Sequence, residues 1–86
     1  MNYATPPGDT LLETLKFKGM TQTELARKIK RPIKTINEII KAKSRLTEET
    51  AILLERALGV PAYFWMNLET NYRLALARNR ADRKGV

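Results

Sequence analysis

The sequence has neither cysteine nor histidine. Those two absences remove disulfides, thiol nucleophiles, imidazole acid–base chemistry and nearly every transition-metal site. Ser44, Asp9, Asp82 and the glutamates are left to build a catalytic centre from, and no triad or zinc site assembles from them. The chain therefore reads as a non-enzyme without metal or cofactor. It also lacks any run of eighteen apolar residues and any basic-then-apolar leader, so neither a membrane span nor a secretory signal is expected. The expected location is the cytoplasm, with no membrane partner.

What is present is positive charge. Sixteen Lys and Arg face nine Asp and Glu for a net charge of +7 over 86 residues, an excess that points to a polyanion, with nucleic acid ahead of anionic membrane. A composition 43% hydrophobic and 29% charged is that of a folded domain, and the length gives room for one core.

Hydrophobic spacing and end signals predict an all-α chain of five helices. Residues 1–7 read as an N-terminal arm and 8–77 as the domain. Helix one follows Gly8-Asp9-Thr10 with a stripe of Leu11, Leu12, Leu15 and Phe17, and stops at Gly19. Thr21-Gln22-Thr23-Glu24 has the form of a capping box opening helix two, which buries Leu25, Ala26 and Ile29. Arg31-Pro32 ends it, and Pro32 suits the first turn of a third helix of about ten residues. Thr47 caps helix four, Gly59 closes it and Pro61 opens helix five. The basic tail 78–86 loses its apolar face and is expected to fray.

Helices two and three, about residues 21–41, have the elements of a helix-turn-helix. Eight of the sixteen basic residues fall between Arg27 and Arg45, where Glu38 is the lone acid. Such a cluster neutralises phosphates and makes duplex binding salt-dependent. Base reading asks for paired donors or a donor with an acceptor, which fits Asn37 to adenine and Lys34 to guanine, while Ile33 or Thr35 can meet a thymine methyl. Gln22 and Thr23 sit where a helix N-terminus holds backbone phosphate. Arg31, Lys41, Lys43 and Arg45 complete the candidate DNA surface with Glu38, which reads equally as a solvated residue or an ion-pair partner for Lys34 or Lys41. Asn37 has its own alternative, capping a turn or facing water.

The segments Thr21-Gln22-Thr23-Glu24-Leu25-Ala26-Arg27-Lys28, Lys34-Thr35-Ile36-Asn37-Glu38-Ile39-Ile40 and Leu46-Thr47-Glu48-Glu49-Thr50-Ala51 resemble the Cro/cI-type, or xenobiotic-response-element, helix-turn-helix regulators. Pro7-Gly8 and Phe64-Trp65-Met66-Asn67-Leu68 resemble the HigA-type antitoxin branch in particular, and the likeness runs from about residue 6 to 77. It implies a five-helix lambda-repressor-like fold and a homodimeric repressor on a palindromic double-stranded operator. It further implies a cognate toxin that cleaves messenger RNA. Where the family commonly has Gly-Val-Ser before the third helix, this chain has Lys30-Arg31-Pro32, losing the turn glycine and the serine cap. The Arg-Pro-x-Lys-Thr-Ile run also resembles the regulatory domain joined to metallopeptidases, so a protein-interaction module on the same fold is the alternative.

Tyr63, Phe64, Trp65, Leu68 and Tyr72 concentrate large apolar side chains in helix five. Helical spacing favours core positions for the three aromatics Tyr63, Phe64 and Trp65, and the surplus over what one core absorbs makes the five residues together a candidate dimer or partner interface. From Arg73 onward five basic residues and one acid either graze phosphate or keep the chain soluble.

Overall fold

The computed structural model describes residues 4–83. Met1 to Tyr3 of the expected arm and Lys84 to Val86 of the expected tail lie outside them. Five helices follow in order, α1 (Pro7–Lys18), α2 (Gln22–Ile29), α3 (Ile33–Ile40), α4 (Glu48–Leu58) and α5 (Ala62–Arg83). Among the described residues there is no strand, and no helix is long and apolar enough to cross a membrane.

One core holds them together. Leu11 and Leu15 of α1, Leu25, Ala26 and Ile29 of α2, Ile36 and Ile39 of α3, Leu46, Ala51, Leu54 and Leu58 around α4, and Trp65 of α5 form one buried cluster. Helix α3 packs between α1 and α2, and α4 lies on α2 and α5. The four-residue spacings 11/15, 25/29, 54/58 and the 36/39 pair put these side chains on single helix faces. Removing them from water is the main favourable contribution to folding.

The helix ends depart from the sequence reading by small, explicable amounts. Proline occupies the cap position and not the first helical turn at α3, where Pro32 has φ −60° and ψ 146°. Pro61 likewise stands outside α5, whose first amide, Ala62 N–H, donates to Glu55 Oε1 of α4 at 2.6 Å. Helix α3 is thus eight residues long and not ten.

Helix α1 starts earlier than expected, at Pro7, which therefore leaves the arm. Gly8 is a helical residue and serves neither turn nor cap. A Cβ on it would collide with the Ile39 carbonyl oxygen and lie 2.6 Å from the Cα and O of Ile40. Glycine is there because two backbones touch, and that contact seats the C-terminal end of α3 on α1.

Phe17 does not join the α1 stripe and is 90% exposed. At 3.6 residues per turn it stands about 200° around the helix from the buried Leu15. Helix α5 does not fray at residue 78 but runs on to Arg83, although 77–82 are all exposed. Of the expected interface aromatics, Trp65 is wholly buried, edge-on to Phe64 with centroids 5.9 Å apart. It supplies the core with its largest side chain and presents no surface to a partner. Tyr63 and Phe64, which helical spacing favours for the core, are exposed, while Leu68 and Tyr72 are half-buried.

Candidate nucleic-acid interface

Helix α2 opens on the expected capping box. Thr21 Oγ1 accepts from Glu24 N–H at 3.0 Å, and Thr21 N–H donates to Glu24 Oε1 at 2.9 Å. The backbone hydrogen bond from Thr21, assisted by its hydroxyl, holds the Glu24 carboxyl below its ordinary value of 4.5. The box leaves the amides of Gln22 and Thr23 without an acceptor among the described residues, pointing off the positive end of the helix.

The turn into α3 is made without glycine. Lys30 takes the left-handed conformation, φ 57°, and its N–H donates to Ala26 O and Arg27 O while Arg31 N–H returns to Ala26 O at 3.0 Å. This double closure is a Schellman-type cap. Lysine can hold it only at the cost of crowding Cβ against the carbonyl, about 1–2 kcal/mol. Pro32 then resets the chain to extended geometry and α3 begins with no side-chain cap. The amides of Ile33 and Lys34 are left open as a result, since proline has no side-chain acceptor to offer them.

Helix α3 divides cleanly. Ile36 and Ile39 are buried, 0% and 4% exposed, and fix its orientation from beneath. Ile33, Lys34 and Lys41 stand out, with Asn37, Thr35 and Glu38 half-buried beside them. Lys34, Asn37 and Lys41, three and four residues apart, share one outward face, while Ile33 shows an apolar side chain near the helix start. Past the end of α3, Ala42 turns left-handed at φ 58° and the amides of Lys43 and Ser44 both converge on Glu38 O. Lys43 within this tight reversal and Arg45 just after it are exposed.

Of the expected DNA-facing side chains, Arg31, Ile33, Lys34, Lys41, Lys43, Arg45 and Thr23 are exposed, and Gln22, Thr35, Asn37 and Glu38 are half-buried. Glu38 makes no ion pair with Lys34 or Lys41 among the described residues. The expectation for Arg73 splits otherwise, because its guanidinium is engaged within the fold. Nε donates to Glu69 Oε2 at 2.7 Å, and a second nitrogen donates to Ser44 O at 3.5 Å. Sequence reasoning missed this tie between α5 and the loop after α3. Its signal was the Glu69/Arg73 pair at helical i, i+4 spacing.

Comparison with known proteins agrees with this geometry. A family model described as Helix-turn-helix matches residues 11–65. Virulence-associated protein I of Dichelobacter nodosus is 36% identical over 75 residues, covering 86% of this chain and 69% of the relative. An Escherichia coli K12 protein described as HTH-type transcriptional regulator YddM is 32% identical over 76 residues, covering 88% and 81%. Among solved structures, Pseudomonas aeruginosa antitoxin HigA with the higBA promoter superposes with a TM-score of 0.88 at 31% identity, over 95% of this chain and 90% of that one. With a capped helix two, a tight turn and a third helix seated by isoleucine and a glycine contact, the chain belongs to the helix-turn-helix regulators, in their HigA-type antitoxin branch.

Proposed function

We propose that this protein is a sequence-specific repressor that lays α3 in the major groove of a palindromic operator as a homodimer, and that it is the antitoxin partner of an mRNA-cleaving toxin whose operon it controls. The observation that carries the reading is the outward face of α3, where Lys34 and Asn37 stand on a helix fixed from beneath and flanked at both ends by unpaired amides or exposed cations. Asn37 offers a donor and an acceptor to adenine, Lys34 donates to guanine, and Ile33 or Thr35 meets a thymine methyl. The amides at the starts of α2 and α3, with Gln22, Thr23, Arg31, Lys41, Lys43 and Arg45, hold phosphates and set the register. Glu38 borders the face and discourages phosphate on its side. The Pseudomonas relative's promoter complex and the wider HigA likeness support this use of the motif. Tyr63 and Phe64, exposed at the root of α5, are the side chains we assign to the toxin contact. Such a protein works in the cytoplasm beside its DNA.

The test is selection from a randomised duplex library, followed by affinity against rising salt. The reading expects a palindrome with half-sites about ten base pairs apart, lost in the Lys34→Ala/Asn37→Ala variant. Recovery of no consensus would leave charge-driven binding alone and favour a protein-interaction module.

A further inference from the structure

Between Arg27 and Arg45 eight cations stand against one acid, and that acid, Glu38, is on α3. It is not turned to a far side of the helix. At 3.6 residues per turn Lys34 lies nearly opposite the buried pair Ile36 and Ile39, with Asn37 about 60° to one side of it and Glu38 about 40° to the other. Asn37 and Glu38 are correspondingly both half-buried. The acid therefore flanks Lys34 as closely as the asparagine does.

A carboxylate at this place is costly in a protein that approaches a polyanion, since it repels phosphate and offsets one of the cations. Pairing within the helix would relieve that cost. Lys34 and Lys41 stand four and three residues away, at spacings where helical ion pairs form, yet neither pair forms among the described residues. What the fold takes from residue 38 is its backbone, whose carbonyl oxygen accepts the amides of Lys43 at 2.8 Å and Ser44 at 3.4 Å. Any residue could supply that oxygen. The ionised side chain adds only acceptors.

Major-groove edges answer such a group unequally. Guanine shows two acceptors and thymine one, adenine sets an acceptor beside its donor, and cytosine alone shows a donor with no acceptor. We propose that Glu38 is a specificity-determining residue of the reading helix, accepting a hydrogen bond from the exocyclic amino group of a cytosine in each operator half-site. Four residues of α3 separate it from Lys34, a rise of about 6 Å. The cytosine accordingly lies within about two base steps of the guanine that Lys34 addresses. Opposite any acceptor edge the same carboxylate is repelled and unpaired, so it penalises wrong duplexes as well as favouring the right one.

This inference rests on the operator reading of α3, and the experiment separates their failures. Wild type, Glu38→Ala and Glu38→Gln are each put through selection from a randomised duplex library. Their affinities are then measured for the wild-type consensus and for a scrambled duplex of equal length. The wild type should prefer cytosine at one position of each half-site by about tenfold. Glu38→Ala should keep the rest of the consensus and become indifferent there, whereas Glu38→Gln, with a donor and an acceptor, should move to adenine at that position. Glu38→Ala should also weaken binding to the consensus by about tenfold and tighten binding to the scrambled duplex, because one repelling charge has gone. Helical circular dichroism checks that the variants fold, and Glu38→Gln decides alone if Glu38→Ala does not. A merely solvated acid gives the opposite sign on the consensus. Tighter binding of both duplexes by Glu38→Ala, or a consensus unchanged in Glu38→Gln, would overturn the inference and leave the operator reading standing. If the wild type selects no consensus, the operator reading fails and this inference with it.

Discussion

Helix α3 is eight residues long with two isoleucines buried beneath it, while α5 runs for 22 and ends in residues that touch no core. The short helix is clamped from three sides, by Gly8 at its C-terminal end, by the Schellman-type turn before it and by Ile36 and Ile39 below. The long one is anchored at its root by Trp65 and Glu55 and midway by Glu69, Arg73 and Ala75, and only its last turns are wholly exposed. A helix that reads base edges has to arrive already oriented, because misplacing paired donors forfeits the discrimination they provide. The exposed last turns of α5 are under no such requirement.

Trp65→Ala should break the root of α5 and have the largest effect. Loss of the core's biggest side chain is expected to cost about 4 kcal/mol, read as a lower midpoint in urea unfolding. For a domain of this size, whose whole stability is on the order of 4–13 kcal/mol, that removes between about a third and all of it. An unfolding midpoint close to wild type would mean that Trp65 is not the anchor its burial implies.

Gly8→Ala attacks the clamp on α3. The added methyl meets backbone, which cannot rotate aside as a side chain would, so about 3 kcal/mol of destabilisation is expected, with loss of duplex binding in whatever remains folded. Gly19→Ala makes a control for glycine lost without a clash, since nothing lies within 4 Å of a Cβ there and only its φ of 66° is strained. Equal losses in the two variants would deny the close contact.

The outward face of α3 answers to a different measurement. Lys34→Ala and Asn37→Ala should leave unfolding within about 0.5 kcal/mol of wild type while each costs about 2 kcal/mol of affinity for the selected duplex. Arg45→Ala should weaken all duplexes alike and lower the salt slope by about one. A change of stability in the first pair, with affinity retained, would turn α3 from reader into scaffold.

How much of this was legible beforehand varied with the kind of signal. The capping box, the Gly19 and Gly59 stops and the isoleucine faces act within a turn or two of chain, so Thr21, Glu24, Ile36 and Ile39 could be placed from spacing alone. The close contact at Gly8 was not legible, nor was it legible that Trp65 alone of three aromatics favoured for the core would turn inward, because both depend on what arrives from elsewhere in the chain. Nothing in Pro7-Gly8 announces the Ile39 carbonyl, and no local pattern tells which of three adjacent aromatics turns inward. Phe17 misled by composition, as a large apolar residue set two positions off the buried face. At the reading face, residue types and their spacing were visible, whereas the opened amides of Ile33 and Lys34 followed from Pro32 standing one place earlier than expected.

Lys30→Gly would relax the turn before α3 where the chain departs from its family's usual glycine. Relief of the left-handed strain, about 1–2 kcal/mol, is partly offset by the greater freedom of glycine in the unfolded chain, for a net gain of about 1 kcal/mol. If stability falls instead, Lys30 contributes a contact that its exposure conceals.

The finest distinction concerns the other end of α2, where Glu24 completes the capping box. Its folded-state carboxyl lies below the ordinary 4.5 because Thr21 N–H stabilises the charged form. The sign follows from linkage. The unfolded chain binds the proton more readily, so the contribution of Glu24 is fully present above pH 4.5 and is lost as pH falls through the lowered folded-state value. Glutamine can keep the hydrogen bond of the box but has no proton to take up. Urea unfolding at pH 6 and at pH 3 should therefore show a smaller loss of stability on acidification for Glu24→Gln than for the wild type. Parallel losses in the two proteins would place the acid sensitivity of the chain outside this box, and the start of α2 would then rest on Thr21 alone.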